Sequence, residues 1–143
     1  MRLKGKSVVV TGASSGMGRA IVELFVKEGA NVVAVARRKE RLEELKGSLQ
    51  GQPGRVVVYA GDISKEETSS GAVDTAVKEF GRLDILVNNA GVMDDMSPIA
   101  DVKNEKIDQV FAVNVYAPMY STRRAVQVFL EQGGGGNIIN VAS

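Results

Sequence analysis

The chain has 143 residues and a formal net charge of +1, so it is long enough for a folded domain and has no charge excess that would attract nucleic acid or an acidic membrane. It contains no cysteine and no histidine, which excludes disulfides and a Ser-His-Asp triad within this sequence and argues against a metal site. No apolar segment approaches the length of a membrane span, and no signal peptide precedes the first predicted strand, so we expect a cytoplasmic protein.

Strand-like and helix-like segments alternate along the sequence. The predicted strands are Val8–Thr11, Asn31–Ala36, Arg55–Ala60, Asp84–Val87 and Asn137–Ala142. The predicted helices begin near Gly16, cover Glu40–Leu49, follow a capping box at 64–67, and run from Asn104 to Glu131. This alternation predicts one Rossmann-type doubly wound α/β domain over residues 1–143, with a parallel sheet. If the first three strands stack to one side and the chain then switches sides, the strand order is 3-2-1-4-5. The ligand site should lie at the carboxyl ends of the strands, where the order reverses.

Glycines cluster where the first strand ends. Gly12 permits a tight turn, Gly16 lets a ligand approach the backbone, and Gly18 lets the following helix pack close to the strand. The unpaired N–H groups that open this helix can hold a pyrophosphate. We therefore predict that this segment binds a dinucleotide through Gly12, Ser14, Ser15, Gly16, Met17 and Gly18.

The residues around these glycines separate a nucleotide site from a plain turn. Met17, Ala20, Ile21, Leu24 and Phe25 recur at helical spacing, so the glycines lead directly into an amphipathic helix. Gly29 then provides a stop signal. A strand, a glycine turn and a helix in this order favour the nucleotide site.

Two basic residues follow the second predicted strand, at the position that selects between the nicotinamide cofactors. An acidic side chain there would bind a free ribose 2′-hydroxyl, whereas Arg37 and Arg38 can grip a 2′-phosphate through charge-assisted bonds. The residues therefore predict NADP(H) in preference to NAD(H), and Arg37 is the better candidate because it is nearer the strand. The alternative is that both arginines are ordinary charges that open the next helix.

Polar residues also follow the third and fourth predicted strands. Asp62, which precedes Ile63, can accept a hydrogen bond from an adenine amino group, or it can merely shape a turn. Asn88-Asn89-Ala90-Gly91 offers amides that can tie strands together and small residues that leave room for a ribose. By itself this segment would also fit a turn.

The long helical pattern from Asn104 to Glu131 contains residues that disfavour a regular helix. Asn114 and Pro118 are both poor helix-interior residues, so we expect a kink or a local opening there. A carbonyl freed near Asn114 could hold an ordered water, and a solvated helical asparagine is the alternative.

In their order and spacing, these motifs resemble those of the short-chain dehydrogenase/reductase family. The resemblance runs from about Lys4 to Ser143 and rests on Thr11–Gly18, Asp62-Ile63, Asn88–Gly91, Asn114 and Asn140–Ser143. It implies an NADP(H)-dependent oxidoreductase that interconverts an alcohol and a ketone by hydride transfer. It also implies that Asp62 and Ile63 contact adenine and that Asn89, Ala90 and Gly91 lie at the cofactor. The catalytic residues it implies are Asn114, in a proton relay, and Ser143, at the substrate oxygen.

The sequence departs from the family in one respect. In the family a Tyr-x-x-x-Lys pair beyond the serine moves the proton that accompanies hydride transfer, and this sequence contains no such pair. Only Tyr120 has a basic residue four positions on, Arg124, and it lies in the wrong helix. We therefore expect a truncated chain that lacks the family's later strands and helices and is inactive alone.

Two other functions explain parts of the pattern. A non-catalytic dinucleotide-binding module needs no tyrosine and lysine. A flavodoxin-like or response-regulator domain shares the alternation but does not explain the glycine turn or Asn88–Gly91. For the complete protein, the resemblance implies a small-molecule alcohol or carbonyl substrate. It also implies a homo-oligomer (a dimer or tetramer) formed through the helical region, and we expect no nucleic-acid or membrane partner.

Overall fold

A five-stranded parallel sheet forms the centre of the computed structural model, which describes residues 1–142. Its strands are β1 (Ser7–Thr11), β2 (Asn31–Ala36), β3 (Arg55–Ala60), β4 (Ile85–Asn88) and β5 (Asn137–Asn140). They are hydrogen-bonded in the order β3-β2-β1-β4-β5, and every neighbouring pair is parallel. The predicted Rossmann-type topology is confirmed.

Helices connect the strands and cover both faces of the sheet. They are α1 (Gly16–Lys27), α2 (Lys39–Ser48), α3 (Glu66–Phe80), α4 (Asn104–Phe111) and α5 (Ala117–Gln132). A 3₁₀ turn at Ile99–Asp101 precedes α4, and a π-helical segment at Ala112–Tyr116 joins α4 to α5. Helices α1 and α2 pack in one hydrophobic cluster, and α3 and α5 pack in the other. None of the helices in residues 1–142 is both long and apolar enough to cross a membrane.

The valine run of β1 shows why its sequence is apolar at every position. Val8 and Val10 pack in the cluster with α1 and α2, whereas Val9 packs in the cluster with α3 and α5. Successive strand residues point to opposite faces, so a strand covered on both sides buries all of them. β1 is therefore the central strand, with β2 and β4 as its neighbours.

The orientation of α1 differs from the predicted one. Met17 and Leu24 were expected on its buried face and are exposed, while Val22 and Val26 are fully buried. Gly18 explains the rotation, because it is buried against the Gly12 carbonyl and leaves no space there for a side chain. Sequence periodicity missed this because a glycine contributes no apolar signal to the pattern.

Several predicted boundaries were wrong by a few residues. Strand β4 begins and ends one residue later than predicted, and β5 ends at Asn140 rather than Ala142. The predicted capping box was also wrong: α3 begins at Glu66, its N-cap position is Lys65, and the Ser64 hydroxyl donates to Asp62 instead. The opening predicted near Asn114 is confirmed by the π-helical segment.

Candidate functional site

Two adjoining cavities lie at the carboxyl ends of the strands. The first has a volume of about 270 Å³ and is bordered by the segments that follow β1, β2, β3 and β4. The second has a volume of about 970 Å³ and lies between the segment after β4, the π-helical segment, α5 and the end of β5. Both include Asn89–Val92 in their walls. An elongated ligand can therefore extend from one cavity into the other over this shared segment.

Two of the three glycines after β1 leave no room for a side chain. Gly12 has φ +64°, and a Cβ there would lie 2.8 Å from Ala90 Cα. A Cβ on Gly18 would overlap the Gly12 carbonyl oxygen. Gly16 has φ +55° but borders open space, with no atom within 4 Å of a Cβ built on it. The first two glycines are thus required by packing, and the third by its backbone conformation.

Side-chain hydrogen bonds join this turn to the segment after β4. The Thr11 hydroxyl oxygen accepts from the backbone N–H groups of Asn89 and Ala90, each at 3.0 Å. Asn89 Nδ2 in turn donates to the Gly12 carbonyl at 3.2 Å. The segments that follow β1 and β4 both line the first cavity, and these hydrogen bonds fix them relative to each other.

A carboxylate and two guanidinium groups lie at the other end of the first cavity. Arg37, Arg38 and Asp62 all belong to its wall. Asp62 Oδ1 accepts from the Ser64 hydroxyl at 2.8 Å and from the Ser64 backbone N–H at 3.0 Å. These hydrogen bonds from Ser64, and then the nearby charge of Arg37, lower the pKa of Asp62 below its ordinary value. Asp62 is therefore an ionised acceptor at neutral pH.

Asn114 connects the π-helical segment to the loop after β4. Its Nδ2 donates to the Val92 carbonyl at 2.8 Å, and its Oδ1 accepts from the Val92 N–H at 2.9 Å. This paired contact holds the opened helix against the wall that the cavities share. The asparagine is thus bound to the backbone rather than simply solvated, and it lines the second cavity.

A second asparagine joins the end of β5 to the rest of the sheet. Asn88 Nδ2 donates to Asn140 Oδ1 at 3.0 Å and to the Thr122 hydroxyl of α5 at 3.1 Å. Because Asn140 is the last residue of β5, this contact ties the end of that strand to β4 and α5. The predicted catalytic role of Ser143 lies outside the described residues.

The comparison with known families agrees with this geometry. The sequence matches the family described as short chain dehydrogenase over residues 6–143. The chain belongs to this family. Its relatives include 3beta-hydroxysteroid dehydrogenase 2 of Eggerthella lenta, which is 42% identical over 141 residues, or 99% of this chain and 54% of the relative. Another is a 3-oxoacyl-(acyl-carrier-protein) reductase of Thermotoga maritima, 38% identical over 143 residues, or 100% of this chain and 57% of the relative.

Solved structures of short-chain dehydrogenases share the fold. A metagenomic short-chain oxidoreductase in complex with NADP superposes with a TM-score of 0.92 at 34% identity, covering 100% of this chain and 64% of the other. A short-chain type dehydrogenase/reductase from Mycobacterium marinum superposes with a TM-score of 0.92 at 29% identity, covering 99% and 55%. The chain thus spans about half to two thirds of the length of these proteins.

The short-chain dehydrogenase structure brings most of the predicted site residues together. The first cavity is lined by Gly12, Ser14, Ser15, Arg37, Arg38, Asp62, Ile63, Asn89, Ala90 and Gly91. Met17 and Asn114 line the second cavity. Gly16 and Gly18 line neither cavity. Gly16 adopts the positive φ that the turn requires, and Gly18 allows α1 to lie close to the Gly12 carbonyl.

Sequence reasoning missed the wall that the long helical region contributes. Gln109 and Val113 reach the first cavity, and Thr122 and Arg123 reach the second. Val92 could have been found, because it directly follows Asn88–Gly91. The others carry no local motif and come to the site through the packing of α4 and α5 beside the sheet.

Proposed function

We propose that the carboxyl end of the sheet binds NADP(H), with the adenosine end in the first cavity and the nicotinamide end in the second. The glycine turn is the observation that carries this proposal. Side chains at Gly12 and Gly18 would collide with neighbouring backbone, while Gly16 borders open space at the start of α1. The turn therefore exposes backbone N–H groups at a helix N-terminus, which suits a pyrophosphate.

The two arginines support NADP(H) over NAD(H). Arg37 and Arg38 directly follow β2 and line the first cavity, with no carboxylate between them and the strand. A guanidinium can bind a 2′-phosphate through two parallel charge-assisted hydrogen bonds. Asp62, ionised and on the same cavity wall, would accept from the adenine amino group, with Ile63 beside it. The NADP-bound structural neighbour is consistent with this assignment.

For the whole protein we propose an oxidoreductase that interconverts an alcohol and a ketone. The bound nicotinamide supplies hydride chemistry. In the second cavity, Asn114 would hold the π-helical segment so that a carbonyl there can bind a relay water. By the family resemblance, Ser143, which lies outside the described residues, would hold the substrate oxygen. The names of two relatives state different substrates, a hydroxysteroid and an oxoacyl group on a carrier protein, so the family alone does not define the substrate.

We further propose that residues 1–143 are a single NAD(P)-binding domain of a cytoplasmic homo-oligomer. Support for the oligomer comes from an exposed apolar row along α4, the π-helical segment and α5. Its members recur every four residues and are Ile107, Phe111, Val115 and Met119. A helix face of this kind is suited to packing against another helix.

A nucleotide titration of the wild-type chain and of the Arg37→Asp variant tests the cofactor assignment. We expect NADPH to bind more tightly than NADH to the wild type. In Arg37→Asp the preference should disappear or reverse, because a carboxylate repels the 2′-phosphate and can bind a free 2′-hydroxyl. Equal binding of both nucleotides to the wild type would contradict the assignment to NADP(H).

A second candidate is a dinucleotide-binding module without catalysis, because the glycine turn and the first cavity account for binding without any catalytic residue. The two candidates differ in turnover rather than in affinity. A complete protein that binds NADPH but oxidises none of it in the presence of varied ketones would fit the module. Consumption of NADPH that depends on a ketone would exclude it.

A further inference from the structure

Helix α4 supplies a polar side chain to the first cavity that no motif predicts. Gln109 lies in α4 and Val113 in the π-helical segment that continues it, and both line the cavity. Val113 has an apolar side chain. Of the two, Gln109 is therefore the one whose side chain can form hydrogen bonds to a bound ligand.

The position of Gln109 relative to the cavity is fixed by the contacts of its helix. Asn114, in the segment that continues α4, makes its paired hydrogen bonds to Val92, which itself borders the first cavity. This contact holds the end of α4 against the cavity wall. Gln109 lies little more than one helical turn before Asn114, so its backbone is placed by the same contact.

A neighbouring lysine orients the carboxamide group. Lys106 Nζ donates to Gln109 Oε1 at 3.2 Å, so the amide oxygen is used within the helix. The amide nitrogen carries two N–H donors, and no residue within 1–142 accepts a hydrogen bond from it. Gln109 thus offers donors to the cavity.

Asp62, another residue of the same cavity wall, has the complementary polarity. Ser64 occupies Oδ1 of Asp62 with two hydrogen bonds, which leaves the other carboxylate oxygen as an acceptor. A carboxylate and a carboxamide donor in one cavity of about 270 Å³ match an adenine base. Adenine has a donor at its amino group and acceptors at its ring nitrogens.

We infer that Gln109 determines affinity for the adenosine end of the cofactor, by donating from Nε2 to a ring nitrogen of the adenine. Asp62 accepts from the amino group of the same base. This inference rests on the proposed function, since it assigns the adenosine end to the first cavity. It adds a base contact from α4 to the phosphate and adenine contacts proposed above.

The test is the dissociation constant of adenosine 2′,5′-bisphosphate and of NADPH for three proteins: the wild type, Gln109→Leu and Gln127→Leu. The bisphosphate carries only the adenosine half of the cofactor. Gln127 is a matched control, because its Oε1 accepts from Arg124 three residues earlier in α5, and it lines neither cavity. Thermal unfolding of each variant monitors the fold.

We expect Gln109→Leu to weaken both ligands by the same factor, about fivefold, which corresponds to the loss of one neutral hydrogen bond. Gln127→Leu should bind both as the wild type does. Unchanged binding of the bisphosphate to Gln109→Leu, with wild-type binding intact, would overturn the inference and leave the proposed function standing. If the wild type binds neither ligand, the proposed function itself fails and this inference with it.

Discussion

Side-chain hydrogen bonds connect chain segments at both the amino and the carboxyl end of the sheet, but they have different roles at the two ends. At the amino end, the nearly buried carboxylate of Asp84 accepts from the Ser7 N–H at 2.9 Å and from Arg82 Nε at 2.8 Å. At the carboxyl end, Asn88, Asn89 and Asn114 bind backbone and side chains around two cavities.

The two ends differ in whether their polar side chains bind only other parts of the protein or also line a cavity. At the amino end, both oxygens of the Asp84 carboxylate accept hydrogen bonds. The donors are the N–H of Ser7, the first residue of β1, and the side chain of Arg82, two residues before Asp84. At the carboxyl end, the asparagines connect chain segments to one another, while Arg37, Arg38 and Asp62 line the first cavity. Parallel sheets bind ligands at that end because helix N-termini and loops converge there. The account therefore predicts that changes at the two ends are separable.

The largest expected effect is at Gly18, which belongs to the turn at the carboxyl end. Gly18→Ala should lower the free energy of unfolding by about 3 kcal/mol, because the new methyl group overlaps the Gly12 carbonyl and crowds Asn89. Urea denaturation measures this loss. Gly47→Ala is the control, since Gly47 is helical with open space at its Cβ position, and it should gain about 0.5–1 kcal/mol.

A smaller effect is expected at the amino end. Asp84→Ala leaves the buried Ser7 N–H without its acceptor and should cost about 2 kcal/mol of stability. NADPH affinity, measured where the variant is fully folded, should stay at the wild-type value. Ser7→Ala is the control, because the Ser7 hydroxyl is buried without a partner among residues 1–142, and its removal should change stability by less than about 1 kcal/mol. A large loss of NADPH affinity in Asp84→Ala would show that the two ends are not separable.

The smallest effect concerns the charge of Asp62. Its pKa is lowered in the folded protein, mainly by Ser64, so ionised Asp62 contributes stability that is complete above the unfolded-state pKa and disappears as pH falls through the folded-state pKa. Ser64→Ala should return this pKa toward its ordinary value of 3.8. NMR titration of the carboxyl group measures the change. Ser97→Ala, which removes a side chain near Asp95 instead, should leave the pKa of Asp62 unaltered.

The sheet and most of the cofactor cradle could be predicted because their signals are local. The valines of β1 are apolar on both faces, and the residues after each strand meet at one edge once the sheet is parallel. The strand order needs a further condition, that the chain switches sides after β3, because other alternating folds have a different order. Arg37 and Asp62 lie far apart in sequence, but a parallel sheet predicts that the ends of their strands meet at one site.

The remaining features depend on tertiary contacts that no local pattern records. The rotation of α1 follows from the close approach of Gly18 to Gly12, and the Ser64 hydroxyl donates to Asp62 while Lys65 occupies the N-cap position of α3. Gln109 lines the first cavity through the position of α4, which continues into the segment that Asn114 binds to Val92. In each case, the feature depends on a contact between residues whose local sequence does not predict that contact.

The most direct test of the central claim is a map of backbone amide NMR shifts on addition of NADPH. The account predicts changes at Ser14–Gly18, Arg37–Arg38, Asp62–Ile63 and Asn89–Val92, which border the cavities or form the glycine turn. It predicts no change at Ser7 and Asp84, at the amino end of the sheet. Shifts at Ser7 and Asp84 with none at the glycine turn, or no shifts under saturating NADPH, would contradict it.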